Sequence, residues 1–268
     1  MRTHNRFRFA VLAGAALLAA CGGGGDDPVA VVPAPVVPEE TRTHDSRTFS
    51  PLDPTATTFA AMTNQVAATS RWAGVLNGAA YRVEVPTNWN GKLVMYAHGF
   101  RGEGSSLTVS NPSIRRHLIE NGYAWAASSY STNFYDVRAG VEDTNALALA
   151  FNNIAAANGR TLAAPDRIYI TGHSMGGHIT GAAIEDETYA TARNKVQYHG
   201  AVPMCGVMGD AELFNRFAGM QVTAQALAGV PSYPTNKWSE IRDLVTNNLF
   251  STFNTSSIVP TAQGVKYL

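Results

Sequence analysis

The sequence predicts an α/β domain, a mostly parallel sheet with helices on both faces. Three observations predict it. Strand-like and helix-like segments alternate singly along most of the chain, the order that strand–helix–strand crossovers produce. Several strand-like runs are short and apolar or β-branched, "KLVMYAHG" and "DRIYIT" among them, as strands covered on both faces are. The 268 residues, 45% of them hydrophobic, suffice for one large core, and no internal repeat divides it.

The chain opens on a targeting segment, residues 1–21. "MRTHNRFRF" is a positive n-region, and "AVLAGAALLAA" is an apolar stretch too short to span a bilayer as a helix. Leu18, Ala19, Ala20 and Cys21 resemble the lipobox of bacterial lipoproteins, in which the cysteine is acylated. A plain secretory peptide cut nearby is the other reading. "GGGGDDPVAVVPAPVVPEE" follows, so residues 22–45 read as a tether, flexible and then semi-extended, that would hold a domain off a membrane. Gly22 rather than aspartate after Cys21 points to the outer membrane of a Gram-negative cell. Basic and acidic residues balance at twenty each, and removing Arg2, Arg6 and Arg8 leaves a mildly acidic chain. No basic stripe suggests a nucleic-acid partner. The second cysteine, Cys205, has no intrachain partner if Cys21 is lipidated, and it reads as a small buried residue at a strand end.

The domain proper is expected over residues 46–268. "YRVEV" (81–85) alternates as a half-buried strand, "PTNWNGK" turns, and "KLVMYAHG" (92–99) is a strand ending in glycine. "NPSIRRHLIENG" (111–122) is expected as a helix that starts at Asn111 and Pro112 and stops at Gly122. "YAWAASSY" is the next strand, residues 137–159 a long helix closed by Asn158 and Gly159, and "DRIYIT" a further strand. A helix from about Met175 to Asp186 and a strand "VQYHGAVPM" (196–204) continue the alternation. Two helical stretches, 211–230 and 236–253, are joined by "PSYPT", and residues 210–255 read as a helical lid or cap. "TAQGVKYL" adds no further strand–helix unit.

The chemistry concentrates in "YITGHSMGGHITG" (169–181). Its G-x-S-x-G lies between a strand and a helix, where small residues at 172 and 176 permit a strained turn that lifts the Ser174 hydroxyl above the sheet edge. The following helix directs free N–H groups and its positive dipole end at that serine. An attacked ester carbonyl becomes an oxyanion that two convergent N–H donors can stabilise. Met175, after the nucleophile, and Phe100, in the loop opened by His98 and Gly99, occupy the two donor positions. His98 itself reads as a support for that loop.

These residues resemble the α/β-hydrolase superfamily, specifically secreted or lipoprotein serine esterases that carry "DRIYITGHSMGG" and an upstream "HG" loop. The resemblance covers roughly residues 75–230. It implies a Ser-His-Asp/Glu triad in the order nucleophile, acid, histidine, and ester hydrolysis through an acyl-enzyme, with neither metal nor organic cofactor. The substrate would be a small-molecule or polymeric ester. Lipases, peptidases, depolymerases and acyltransferases share the fold, which does not choose among them.

One feature departs from that pattern. Only His178 and His199 follow Ser174, and neither lies on a loop after a last strand, where the triad histidine belongs. His178 is expected at the surface of the helix that Ser174 introduces, and His199 within a strand. Asp210, after the strand ending at Met204, is the candidate triad acid. The chain therefore reads as the N-terminal part of a longer hydrolase without its last strands, almost inactive alone. The competing reading is a non-catalytic envelope lipoprotein that binds through a hydrolase-like scaffold. Phe100, Trp125, Tyr130, Phe134 and Tyr135 are candidate linings of an acyl pocket.

Overall fold

A computed structural model describes residues 48–51 and 57–268. The expected signal peptide, Cys21 and the tether lie outside the described residues. In chain order the first elements are β1 (Ser50–Pro51), β2 (Thr69–Leu76), β3 (Ala79–Pro86), β4 (Lys92–Ala97), β5 (Ser106–Leu107), α1 (Arg115–Glu120), β6 (Ala124–Ser128) and α2 (Val137–Ala157). After them come β7 (Arg167–His173), α3 (Met175–Ala182), α4 (Asp186–Thr191), β8 (Gly200–Met204), α5 (Asp210–Ala228), α6 (Trp238–Leu249), β9 (Phe250–Phe253), β10 (Ile258–Pro260) and α7 (Ala262–Tyr267).

Six strands form the main sheet in the order β2-β3-β6-β4-β7-β8. β2 and β3 make an antiparallel hairpin, and β3 is antiparallel to β6. From β6 onward every pairing is parallel, so the expected mostly parallel α/β fold is the one adopted. The hairpin turns at Asn77 and Gly78, both at positive φ (50° and 86°), which suits the tight two-residue connection. Ala73 and Gly74 blur the alternation of β2, which is why this strand is hard to see in the sequence.

Alternation along the central strands sorts side chains onto two faces. Leu93, Met95 and Ala97 of β4 join Ala124, Ala126 and Ile170 in a core covered by Val141, Leu147 and Phe151 of α2 and Ile179 of α3. Val94 and Tyr96 point the other way and meet Trp125, Ala127 and Leu118 and Ile119 of α1. Helices therefore cover both faces. On the α1 face Glu84, fully buried, takes Arg115 in two hydrogen bonds (2.6 and 3.0 Å), Trp125 Nε1 (2.8 Å) and Thr69 Oγ1 (2.8 Å). Arg115 also donates to Ala60 O, and Arg82 donates to Thr57 O (2.6 Å) with Phe59 stacked beneath both guanidinium groups.

Several boundaries differ from expectation. The first helix begins at Arg115, because Asn111 is drawn into a hydrogen bond from Arg82 instead of capping it. Its end is as expected, with Gly122 at φ 75°. The long helix matches its predicted span; the Asp136 side chain accepts from Ala139 N at one end, and Gly159, at φ 79°, follows the other. The helix after Ser174 stops at Ala182, and a short separate α4 follows. β8 is only five residues long, so His199 precedes it rather than lying inside it. The last stretch holds a small hairpin, β9 with β10, and α7, none of which was expected. α5, α6 and α7 share a small core of Ala224, Ala228, Val230, Ile241, Val245 and Leu249.

Candidate active site

Parallel pairing brings the C-terminal ends of β6, β4, β7 and β8 to one edge of the sheet. The registers Tyr96↔Ala127, Ala97↔Gly172 and His173↔Met204 set His98, Ser129, Ser174 and Cys205 along it. Six non-glycine residues among those described have positive φ, and four of them, Tyr130, Phe134, Ser174 and Cys205, follow these strand ends. Strain of this kind costs of order 1–3 kcal/mol per residue and persists where surrounding structure over-determines it.

The over-determination at Ser174 is visible. Its φ and ψ are 58° and −122°, angles that glycine takes readily and other residues rarely. Ser174 N donates to Met204 O (3.0 Å), and Ser174 O accepts from Gly177 N and His178 N, so the residue is tied to β8 behind it and to α3 ahead. A side chain at Gly172 would overlap the Gly176 carbonyl oxygen and approach Ala97 O to 2.6 Å. One at Gly176 would overlap Ala97 O. The turn can be this tight only because the backbones of β4, β7 and α3 touch. Ser174 itself is half-exposed at this edge.

The loop after β4 meets the serine. A methyl group built on Gly99 would lie 3.3 Å from Ser174 Cβ and 3.9 Å from Oγ. Phe100 follows, and its side chain is half in solvent. Among the turn, loop and cap hydrogen bonds of the described residues, none is donated by Phe100 N or Met175 N. Met175 is the first residue of α3, where N–H groups have no partner within the helix. Phe100 lies one residue beyond Gly99 in this loop, and Met175 directly follows Ser174.

His98 holds this loop in place, as expected. It is 2% exposed and lies 4.1 Å from the Tyr130 ring in a stacked arrangement. Nδ1 is 2.6 Å from Gly99 O and Nε2 3.0 Å from Ser129 O, so the ring bridges the ends of β4 and β6. Tyr130 donates its hydroxyl to His98 O (2.9 Å). Burial pushes the imidazole pKa down, and the two carbonyl oxygens oppose this more weakly. Asp143 on α2 also faces this edge and accepts from Ser131 N and Ser131 Oγ (2.6 and 2.7 Å). Burial raises its pKa against those two hydrogen bonds.

The remaining candidates fall as follows. No hydrogen bond joins Ser174 Oγ to a histidine among the described residues. His199 lies beside Ile168, its Nδ1 accepting from Ile168 N, at the opposite end of the strands and about 20 Å from Ser174 by strand rise. His178 is one helical turn beyond Ser174, half-exposed, with Nδ1 3.1 Å from Tyr135 Oη. Asp210 begins α5, and its side chain lies outside the described residues. Cys205 is exposed rather than buried, because β8 ends with one side uncovered. Trp125 belongs to the α1 face, bonded to Glu84, and is not at the mouth; Tyr130 is buried beneath it. Phe214 and Phe217 on α5 were not expected here, yet Phe214 packs edge-on to Tyr135 (4.9 Å) and Phe217 edge-on to Phe214 (6.2 Å). The signal for them was the three-residue spacing of aromatics in "LFNRF". Among the described residues no cluster of three or more His, Cys, Asp or Glu could hold a metal ion.

No family model matches the chain, and no curated protein matches it. Solved structures similar to parts of it include a phosphonate-inhibited esterase B from Lactobacillus rhamnosis (18% identity, TM-score 0.31, covering 45% of this chain and 41% of that one). Others are a bacterial brefeldin A esterase homologous to human hormone sensitive lipase (20% identity, TM-score 0.31, 47% and 38%) and the cell wall degrading esterase LipA from Xanthomonas oryzae (15% identity, TM-score 0.35, 59% and 44%). The chain thus spans less than half the length of each. The site is therefore read from its own geometry: a serine at positive φ between a strand and a helix, with the loop after β4 beside it, at the C-terminal edge of a parallel sheet.

Proposed function

We propose that this chain carries the nucleophile and oxyanion hole of a serine esterase. The observation that carries the reading is Ser174 at φ 58° between β7 and α3, with its Oγ beside Gly99 and the unengaged N–H of Met175. Ser174 Oγ would attack a carboxylic ester carbonyl, forming the C–O bond of a tetrahedral intermediate whose oxyanion accepts from Met175 N and Phe100 N. Expulsion of the alkoxide, protonated on departure, leaves an acyl-enzyme that water hydrolyses. Both steps need a base that takes and returns a proton. No described histidine is bonded to Ser174, so the geometry supports binding and oxyanion stabilisation further than it supports proton transfer.

The second reading, a binding protein on a hydrolase-like scaffold, is favoured by that same missing contact. One experiment separates them: labelling by a fluorophosphonate probe and hydrolysis of p-nitrophenyl acetate and butyrate, beside Ser174→Ala. Under the esterase reading the probe labels Ser174, and labelling and any turnover vanish in the variant. Turnover is slow, because loss of a triad member leaves roughly 10³- to 10⁴-fold acceleration over water. Labelling that survives Ser174→Ala places the nucleophile elsewhere. We further propose that Cys21 is acylated and anchors the protein at the cell envelope, in the outer membrane of a Gram-negative bacterium. Palmitate labelling should be lost in Cys21→Ser.

A further inference from the structure

Four rings run outward from the nucleophile. His178 sits one turn into α3 from Ser174, with its N–H bonded to Ser174 O (3.1 Å). Tyr135 Oη meets His178 Nδ1 (3.1 Å), with ring centroids 5.9 Å apart. Phe214 stands edge-on to Tyr135, their planes at 83°, and Phe217 edge-on to Phe214 at 88°. Yet these two phenylalanines are 38% and 45% exposed, so the row is a surface wall and not a core.

We propose that this wall is the substrate-selecting surface of the site, and that it takes esters bearing an aromatic ring near the scissile carbonyl. The inference rests on the esterase reading for its chemistry, but not for binding. Edge-to-face pairs gain beyond apolar area because a ring's positive edge meets another ring's negative face. A row of alternating perpendicular rings offers such an edge or face to one further ring, which a saturated chain of equal size cannot exploit. The polar element is His178. In the neutral tautomer whose Nδ1 accepts from Tyr135 Oη, Nε2 carries the proton, and Nε2 has no hydrogen-bond partner among the described residues. That N–H is a donor for an ether or phenol oxygen on the incoming ring. The preferred ligand is thus a phenylpropanoid-type ester with an oxygen substituent on the ring, set beside Ser174 by ring contact and one hydrogen bond.

The test measures equilibrium binding to the full chain carrying Ser174→Ala, so that turnover does not intervene. Ligand-observed NMR titration compares ethyl 3-(4-methoxyphenyl)propanoate, ethyl 3-phenylpropanoate and ethyl 3-cyclohexylpropanoate. The phenyl ester should bind roughly two- to tenfold more tightly than the cyclohexyl ester, and the methoxy compound more tightly again. Phe214→Leu keeps apolar area but removes the ring, and should abolish the phenyl preference while leaving cyclohexyl binding within about twofold. Tyr135→Phe, which frees Nδ1 of its partner, should reduce the methoxy advantage alone. Equal binding of phenyl and cyclohexyl esters, or an unchanged preference in Phe214→Leu, overturns the proposal. Aromatic-selective binding without fluorophosphonate labelling in the parent sustains it and removes the esterase reading. Labelling without aromatic selectivity does the reverse.

Discussion

The elbow and the C-terminal helices are held by different kinds of contact. Around Ser174 backbone meets backbone: Gly172 against Gly176 and Ala97, and Gly177 within reach of Met204 O and Gly206. Such contacts tolerate no intermediate geometry, so a single turn survives. The α5–α7 region holds itself with a few aliphatic side chains around Leu249, while most of α5 is in solvent. Its contacts determine its own packing well and its placement on the sheet weakly. The edge at Ser174 is thus built from parts with no freedom, and the surface that reaches it through Tyr135 from parts with some.

The largest expected effect breaks the first kind of contact. Gly172→Ala should cost about 3 kcal/mol or more, since the added methyl meets backbone that cannot give way; urea unfolding reads this as a lowered midpoint with unchanged slope. A loss under about 1 kcal/mol would mean that the turn relaxes and the contrast drawn above is false. Leu249→Ala, a buried leucine truncation costing about 2–4 kcal/mol, should act locally. Hydrogen exchange in α5–α7 should accelerate roughly 30-fold or more while β7 and α3 amides stay protected. Equal acceleration in both regions would show one cooperative unit instead of two.

Smaller effects sharpen the contrast. Ser174→Gly should stabilise the protein by about 1 kcal/mol, the relief of a positive φ less the greater freedom of glycine in the unfolded chain. The smallest effect is with pH. Because burial lowers the pKa of His98 below its ordinary 6.5, the unfolded chain binds a proton more readily than the native one. The stability contributed by the neutral ring is therefore present above about pH 6.5 and lost as pH falls towards the lowered native value. Comparing urea midpoints of the parent and His98→Gln from pH 7.5 to 5 should show the parent losing more. Parallel curves would detach His98 from this titration.

Much of the site was legible because its signals are local. The glycines at 172 and 176 and the strand before Ser174 are contiguous in sequence, and the elbow needs little else. Likewise Asp136, Asn158 and Gly159 frame α2 without help from distant residues. Elements that depend on partners were not legible. β8 is cut to five residues because β7 alone pairs with it, which leaves His199 at the far end of the strands and Cys205 in solvent. α1 loses its first turn because Asn111 is held by Arg82, 29 residues upstream in the chain and adjacent in space. The aromatic row of Tyr135, His178, Phe214 and Phe217 is assembled from three helices or loops, and spacing within "LFNRF" shows only its last two members.

The arginine clasp on the α1 face has a mechanical consequence. Residues 57–60 run across β3 under Arg82 and Arg115, with Phe59 pinned between guanidinium groups and Trp125. A pull on the chain from its N-terminal side therefore loads the Arg115–Glu84 pair and the Thr57 and Ala60 carbonyls before it reaches β2. Those bonds share the load across several anchors, whereas a hairpin tugged from its end unzips one rung at a time. The clasp acts as strain relief, as a cable clamp does ahead of a soldered joint, so a load arriving at Thr57 is shared before it reaches β2.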